Sequence, residues 1–134
     1  MLCFTLVLFG CSKEGNGVQN ISTDNYENIA FEFTVALTKR DYTKAYSMTS
    51  KEFKNHTTIE VMKNTFERIV PLDWGTMGPI ELGETMTDWP DKRPTDLGWV
   101  YVSIGGDMYS EAIIAIVSVE DNSLKVREVE YGRP

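Results

Sequence analysis

The last third of the chain has the hydrophobic pattern of three consecutive β-strands. From Trp99 to Ile104 the residues alternate, so one face carries the valines and the isoleucine and the other carries the aromatic residues and a serine. Residues 112–119 are almost continuously Ile, Ala and Val, which predicts a strand covered on both faces. Residues 124–131 include four charged residues and are typical of an edge strand or of a strand with one wet face. Gly, Asp and Asn clusters separate the runs, as in an antiparallel meander.

Upstream of these strands, apolar residues recur at helical spacing in three segments. The first begins with a capping-box-like pattern at Asp24 and ends near residue 40. Asp41 can cap a short second helix through residue 48. A further capping box at Thr57 opens a third helix, which Pro71 ends. The residues around Ser50, between the second and third helices, are interpreted as a turn.

One more strand lies between the helices and the meander. Residues 72–79 have the composition of a loop, and residues 80–87 alternate as a strand does. Residues 87–97 contain two Pro and three Asp, which predicts a long connection or a lid. The fold class predicted is therefore α+β, with three N-terminal helices packed on a four-stranded antiparallel sheet.

The first residues of the chain differ from the rest. Residues 1–10 carry no charge and are almost wholly apolar, but a bilayer needs about twenty such residues. Their length suits the apolar part of a signal peptide. Residues 8–11, Leu-Phe-Gly-Cys, resemble the bacterial lipoprotein signal, in which the cysteine becomes lipidated. We therefore predict a lipoprotein-type signal segment at 1–11 with lipidation at Cys11, a flexible linker at 12–22 and one domain at 23–134.

Both cysteines of the chain, Cys3 and Cys11, lie in this leader. If Cys11 carries lipid and Cys3 is removed, the folded domain has neither a disulfide nor thiolate chemistry. The predicted location is the bacterial cell envelope, periplasmic or on the outer surface, with the membrane as a partner through the lipid anchor. The alternative interpretation of the leader is a short buried strand or helix.

Composition narrows the class of partner. A chain of 134 residues is expected to form one domain, and 42% hydrophobic with 25% charged residues is ordinary for a globular protein. The formal net charge of −7 leaves no basic surface for a phosphate backbone. We therefore expect no nucleic-acid partner.

The helical part carries a family resemblance. Residues 33–37, Phe-Thr-Val-Ala-Leu, and residues 40–50, Arg-Asp-Tyr-Thr-Lys-Ala-Tyr-Ser-Met-Thr-Ser, are similar to a pattern of the NTF2-like (SnoaL-like) superfamily. The resemblance extends over about residues 24–131. It implies that a curved sheet wraps around the helices into a cone of the cystatin/NTF2 type, whose mouth is often a ligand pocket. Many members with lipoprotein leaders are envelope proteins of unknown role.

The resemblance does not carry over a catalytic set. Ketosteroid isomerases and scytalone dehydratases of this superfamily place an Asp or an Asp/His set on the pocket wall. The only histidine here, His56, falls in a predicted turn, where an exposed or capping role is the simpler interpretation. Glu84 and Glu111 are the nearest candidates for a buried base, although glutamates at such positions are more often rim or salt-bridge residues. The spacing of potential ligands matches no zinc, calcium or phosphate motif, so we predict no metal and no cofactor.

Aromatic residues supply the remaining candidates for a site. Trp and Tyr offer an apolar body with one polar group, which suits the mouth of a ligand pocket. The alternative for Trp99 and Tyr101 is that they complete the core. The candidate pocket or mouth residues are Trp74, Trp89, Trp99, Tyr101, Glu84 and Glu111.

These observations predict a non-catalytic, envelope-tethered domain that binds a small apolar ligand or an envelope protein. Two alternatives stay open. One is a lyase or isomerase with Glu84 or Glu111 as the base. The other is a homodimeric interaction module that uses the outer face of the sheet.

Overall fold

The computed structural model describes residues 25–107 and 109–133, which form an α+β fold with helices and one open antiparallel sheet. The leader, Cys11, the linker and the Asp24 cap lie outside the described residues. The helices precede the strands along the chain. In order, the elements are α1 Tyr26–Thr38, α2 Tyr42–Ser47, α3 Lys51–His56, α4 Ile59–Ile69, β1 Met77–Met86, β2 Asp96–Gly106, β3 Ser110–Glu120 and β4 Ser123–Tyr131.

The helical half differs from its prediction at one element. The predicted turn after residue 50 is the short helix α3, whose N-cap Ser50 accepts a hydrogen bond from the backbone N–H of Phe53. The cap of α4 is Thr58, one residue later than the predicted Thr57. Asp41 caps α2 as predicted, since its carboxylate accepts from the backbone N–H of Lys44 at 3.2 Å. The described residues thus contain four helices. Helix α3 was not predicted because six residues are too few to show a hydrophobic period and Ser50 was interpreted as the start of a turn.

The four strands pair in the order of the chain, β1-β2-β3-β4, and all pairs are antiparallel. The central strand β3 is buried in both phases from Ala112 to Ser118, as its sequence predicts. The last strand β4 is at an edge, also as predicted. Part of that edge is covered, because the segment between α2 and α3 pairs with Val126 through main-chain hydrogen bonds of 2.9 Å.

The two faces of the sheet have different environments. On β2, the alternate residues Val100, Val102 and Ile104 are fully buried and belong to the main hydrophobic core. Helix α1 packs against all four strands and contributes Phe33 and Leu37 to this core. The residues in the other phase of β2, including Trp99 and Tyr101, are half-buried and point away from the helices.

A buried ion pair joins the start of β2 to β4. Arg127 donates through Nε and Nη2 to the two carboxylate oxygens of Asp96, each at 2.7 Å. The same carboxylate accepts the backbone N–H of Arg93 at 2.9 Å, so it also orders the end of the 87–95 connection. In the described part of the chain, no helix has the length and apolar character needed to cross a membrane.

Candidate functional site

A cleft of about 480 Å³ lies where the end of α4 and the loop after it face the start of β3 and the end of the chain. We call it the α4–β3 cleft. Its walls combine aromatic, charged and hydroxyl side chains, so it can contact both the apolar and the polar parts of a small molecule. The lining residues are Arg68, Ile69, Pro71, Asp73, Trp74, Tyr109, Ser110, Glu111 and Arg133.

Helix α4 and its following loop are held in place by Arg40. Its guanidinium donates to the carbonyl oxygens of Val70 at 2.9 Å and Pro71 at 3.0 Å. These are carbonyls at the helix end that have no partner within the helix. The backbone N–H of Trp74 then donates to the Pro71 carbonyl at 3.0 Å, which closes the loop. The anchor and the turn together place Trp74 against the sheet.

Gly106, at the end of β2, makes room for Trp74. A Cβ at this position would overlap the indole nitrogen of Trp74, so the indole lies directly on the backbone of the strand. Trp74 is consequently 7% exposed, and its Nε1 is buried without a hydrogen-bond partner among the described residues. An unsatisfied donor of this kind is uncommon in a native interior.

Tyr109 forms the second aromatic wall of the cleft. Its ring centroid is 5.6 Å from that of Trp74, and the ring planes are tilted by 51°. Tyr109 is 60% exposed, so its ring is accessible from solvent. One wall of the cleft is therefore a fixed indole and the other an accessible phenol.

Four charged residues also line the cleft: the cations Arg68 and Arg133, and the carboxylates Asp73 and Glu111. None of them makes a salt bridge or a side-chain hydrogen bond with another residue in the described ranges. The chain end reaches the cleft because the backbone N–H of Gly132 donates to the carbonyl of Ala112 at 2.8 Å. That bond brings residue 133 beside the start of β3.

The residues singled out from the sequence fall in different places. Trp74 and Glu111 line the cleft. Trp99 and Tyr101 lie on the outer face of the sheet, Tyr101 over Gly83 of β1. Glu84 is exposed on β1, and Trp89 is half-buried in the 87–95 connection with its Nε1 unpartnered within the described chain. The structure therefore brings together two of the six candidates.

Of the four charged residues that line the cleft, the sequence singled out Glu111 alone. Arg68, Asp73 and Arg133 come from a helix, a loop and the chain end, and their meeting depends on tertiary structure alone. Trp74 was singled out because it is one of the aromatic residues that follow the helices, and Trp and Tyr suit the mouth of a pocket.

A smaller groove of about 240 Å³ lies beside α3 and contains His56. Its charges are already used within the chain. Arg93 pairs with Glu52 and lowers the pKa of that carboxyl, and Arg127 pairs with Asp96. His56 is exposed at the end of α3. This groove is accordingly explained by structural ion pairs.

The described residues that line the α4–β3 cleft supply two carboxylates, two guanidinium groups, two aromatic rings and the hydroxyl of Ser110, and they include no His and no Cys. These groups can form ion pairs, hydrogen bonds and stacking contacts with a ligand. Among residues 25–107 and 109–133, no group of three His, Cys, Asp or Glu side chains could hold a metal ion. The sequence matches no protein-family model and no curated protein.

Proposed function

We propose that this protein is a non-catalytic domain that binds a small organic molecule in the α4–β3 cleft. The observation that carries the proposal is the Trp74–Tyr109 pair, a rigid indole beside an exposed phenol at the wall of a cavity of about 480 Å³. Such a pair gives a flat apolar ligand two surfaces to pack on. Polar groups around the pair would fix the ligand's orientation.

Binding fits the geometry better than catalysis does. A lyase or isomerase of the expected type needs a carboxylate base inside the pocket. Glu84 is exposed on β1, outside the cleft, so Glu111 alone of the two candidates is placed for that role. Glu111 has no His beside it in the cleft to share a proton.

A role for the sheet as a dimer interface has less support. The apolar residues of β3 that face away from the helices, Ala112, Ile114 and Ile116, are at most 4% exposed in the single chain. The strand that suggested an apolar docking surface is thus already covered, and a partner would gain little by burying it.

We also propose that the domain is NTF2-like. The support is that a helical segment precedes an antiparallel four-stranded meander, and that α1 packs against every strand. Register shifts occur in all three strand pairs, and bulges of this kind let a sheet bend around a helix. In this proposal the α4–β3 cleft is the mouth of the cone.

The proposed location is the bacterial envelope, with lipid on Cys11 as the anchor. The support is the sequence of residues 1–11. An anchored domain with a cleft could present or sequester a small molecule, or an envelope protein's side chain, close to the membrane.

Titration of the full chain with anilinonaphthalene sulfonate, a fluorescent aromatic probe, tests the proposed cleft. Tyr109→Ser should weaken binding about threefold to tenfold, the range that corresponds to one aromatic contact. Its control is Leu72→Ser, because Leu72 is 73% exposed near the cleft but does not line it. Equal affinities of the wild type and Tyr109→Ser, or a loss confined to Leu72→Ser, would overturn the proposal.

A further inference from the structure

The arginines of this chain divide into two groups. All five lie in the described part of the chain. Arg40, Arg93 and Arg127 each donate side-chain hydrogen bonds to acceptors of the protein. The other two make no such bond to any described residue, and both of them line the α4–β3 cleft. Guanidinium groups that the fold itself does not use are thus concentrated at one site.

The same cleft also contains two carboxylates, Asp73 and Glu111, that lack a partner in the described ranges. A ligand that fills the cleft removes water from charges on both sides, and a charge that loses water needs a counter-charge. A purely apolar ligand would supply neither a positive nor a negative charge. An anion would satisfy the arginines alone, and a cation the carboxylates alone.

Resting on the proposed function of the cleft, we propose that its ligand is a zwitterion of the amino-acid type, with an ammonium group, a carboxylate and an aromatic or large apolar body. The carboxylate pairs with Arg68 and Arg133, for which bidentate contacts are the favoured geometry. The ammonium pairs with Glu111 and Asp73. The body packs on Trp74 and Tyr109, and an aromatic face also attracts a nearby ammonium.

Trp74 supplies the apolar surface of the same site. It is more than nine-tenths buried and lines the cleft, and its N–H edge lies against the backbone of Gly106, where a ligand does not reach it. The charged contacts of the ligand are therefore made by the arginines and the carboxylates, and Trp74 contributes its ring.

Three ligands that share one phenyl body separate the contributions of the two charges. They are phenylalanine, phenylpropanoate, which lacks the ammonium, and phenylethylammonium, which lacks the carboxylate. Calorimetric titration of the full chain should give phenylalanine at least about a tenfold higher affinity than either single-charge analogue, because only the zwitterion satisfies both sets of side chains.

Variants assign each charge to its partner. The double variant Arg68→Gln/Arg133→Gln should lower the affinity for phenylalanine about tenfold and should not lower that for phenylethylammonium. Glu111→Gln should weaken the binding of phenylalanine but not the binding of phenylpropanoate. The matched controls are Arg93→Gln and Glu84→Gln, which remove the same charges away from the cleft and should change no affinity.

The results distinguish this inference from the proposed function. If either single-charge analogue binds as tightly as phenylalanine, the inference of a zwitterionic ligand is wrong, but the proposed function of the cleft as a binding site stands. If none of the three binds while anilinonaphthalene sulfonate binds in a Tyr109-dependent manner, the ligand class is again wrong. If the fluorescent probe also fails to bind, the proposed function itself is overturned.

Discussion

The guanidinium of Arg40 donates through Nη1 to the main-chain oxygen of Val70 at 2.9 Å, across thirty residues of sequence. Its Nη2 donates to the next carbonyl, that of Pro71, at 3.0 Å. The same group lies 5.4 Å from the centre of the Phe66 ring. One side chain from the turn after α1 thus satisfies the end of α4 and fixes the start of the loop that leads to Trp74.

Removal of this anchor should reduce stability. Arg40→Met should lower the free energy of unfolding by about 1.5–3 kcal/mol, because the two carbonyls lose a charged donor. Denaturant unfolding of the full chain measures the change. Lys39→Met is the control, since Lys39 is an exposed neighbouring cation. An equal effect of the two substitutions would show that Arg40 acts only through its charge.

The strands were predictable because their signals are local. Each pattern lies within about ten residues: alternation on β2, continuous apolar residues on β3 and charges on β4. The described strands lie where these patterns predict them. β1 begins at Met77 rather than at residue 80, because a Gly-Pro pair that resembles a loop is tolerated on an edge strand. Helix α3 was missed because six residues show no period and Ser50 suits a turn as well as a helix cap, whereas the equally short α2 was predicted from its Asp41 cap.

The site was less predictable for a physical reason. The alternation along β2 places Trp99 and Tyr101 on the face opposite to the core valines. Strand β3, however, is apolar on both faces. The sequence alone therefore did not reveal which face of the sheet the helices cover. Arg68, Glu111 and Arg133 are brought together only by folding. Nothing local distinguishes these two arginines from those that serve structural pairs.

The buried pair of Asp96 and Arg127 should be essential for stability. Their side chains are 0% and 6% exposed, so Asp96→Asn removes the buried counter-charge of Arg127. The half-exposed carboxylate of Glu128, 3.2 Å from Nη1, is then the remaining partner of the guanidinium among the described residues. We expect a loss of about 3–5 kcal/mol in the free energy of unfolding. Thermal and denaturant unfolding measure the loss. Asp121→Asn breaks an exposed pair with Lys51 and should have little effect; a similarly small effect of Asp96→Asn would contradict the prediction.

Tyr131 makes the fold sensitive to alkaline pH. Burial raises the pKa of Tyr131 from 10.0 to about 12. The native state holds the phenolic proton more tightly than the unfolded state, so the stabilisation is complete below pH 10 and falls as the pH rises toward 12. The full loss amounts to about 2–3 kcal/mol. Melting temperatures of the wild type and Tyr131→Phe across this range provide the test. The variant should lose less stability on alkalinisation, and parallel curves would refute the assignment.

Membrane association should depend on Cys11. If the proposed lipid on Cys11 holds the domain at the bilayer, Cys11→Ser should move the full-length protein from the membrane fraction to the aqueous fraction. Cys3→Ser is the matched control and should leave the distribution unchanged. Unaltered fractionation of Cys11→Ser would exclude the anchor.

The three tryptophan indoles of the chain allow the most direct measurement of the cleft. Their N–H signals in a heteronuclear NMR spectrum, assigned by single Trp→Phe substitutions, report separately on Trp74, Trp89 and Trp99. On addition of anilinonaphthalene sulfonate, the Trp74 signal should shift progressively to saturation while the other two stay in place. A saturable shift of Trp89 or Trp99 with Trp74 unmoved, or no shift of any indole, would contradict the assignment of the α4–β3 cleft as the binding site.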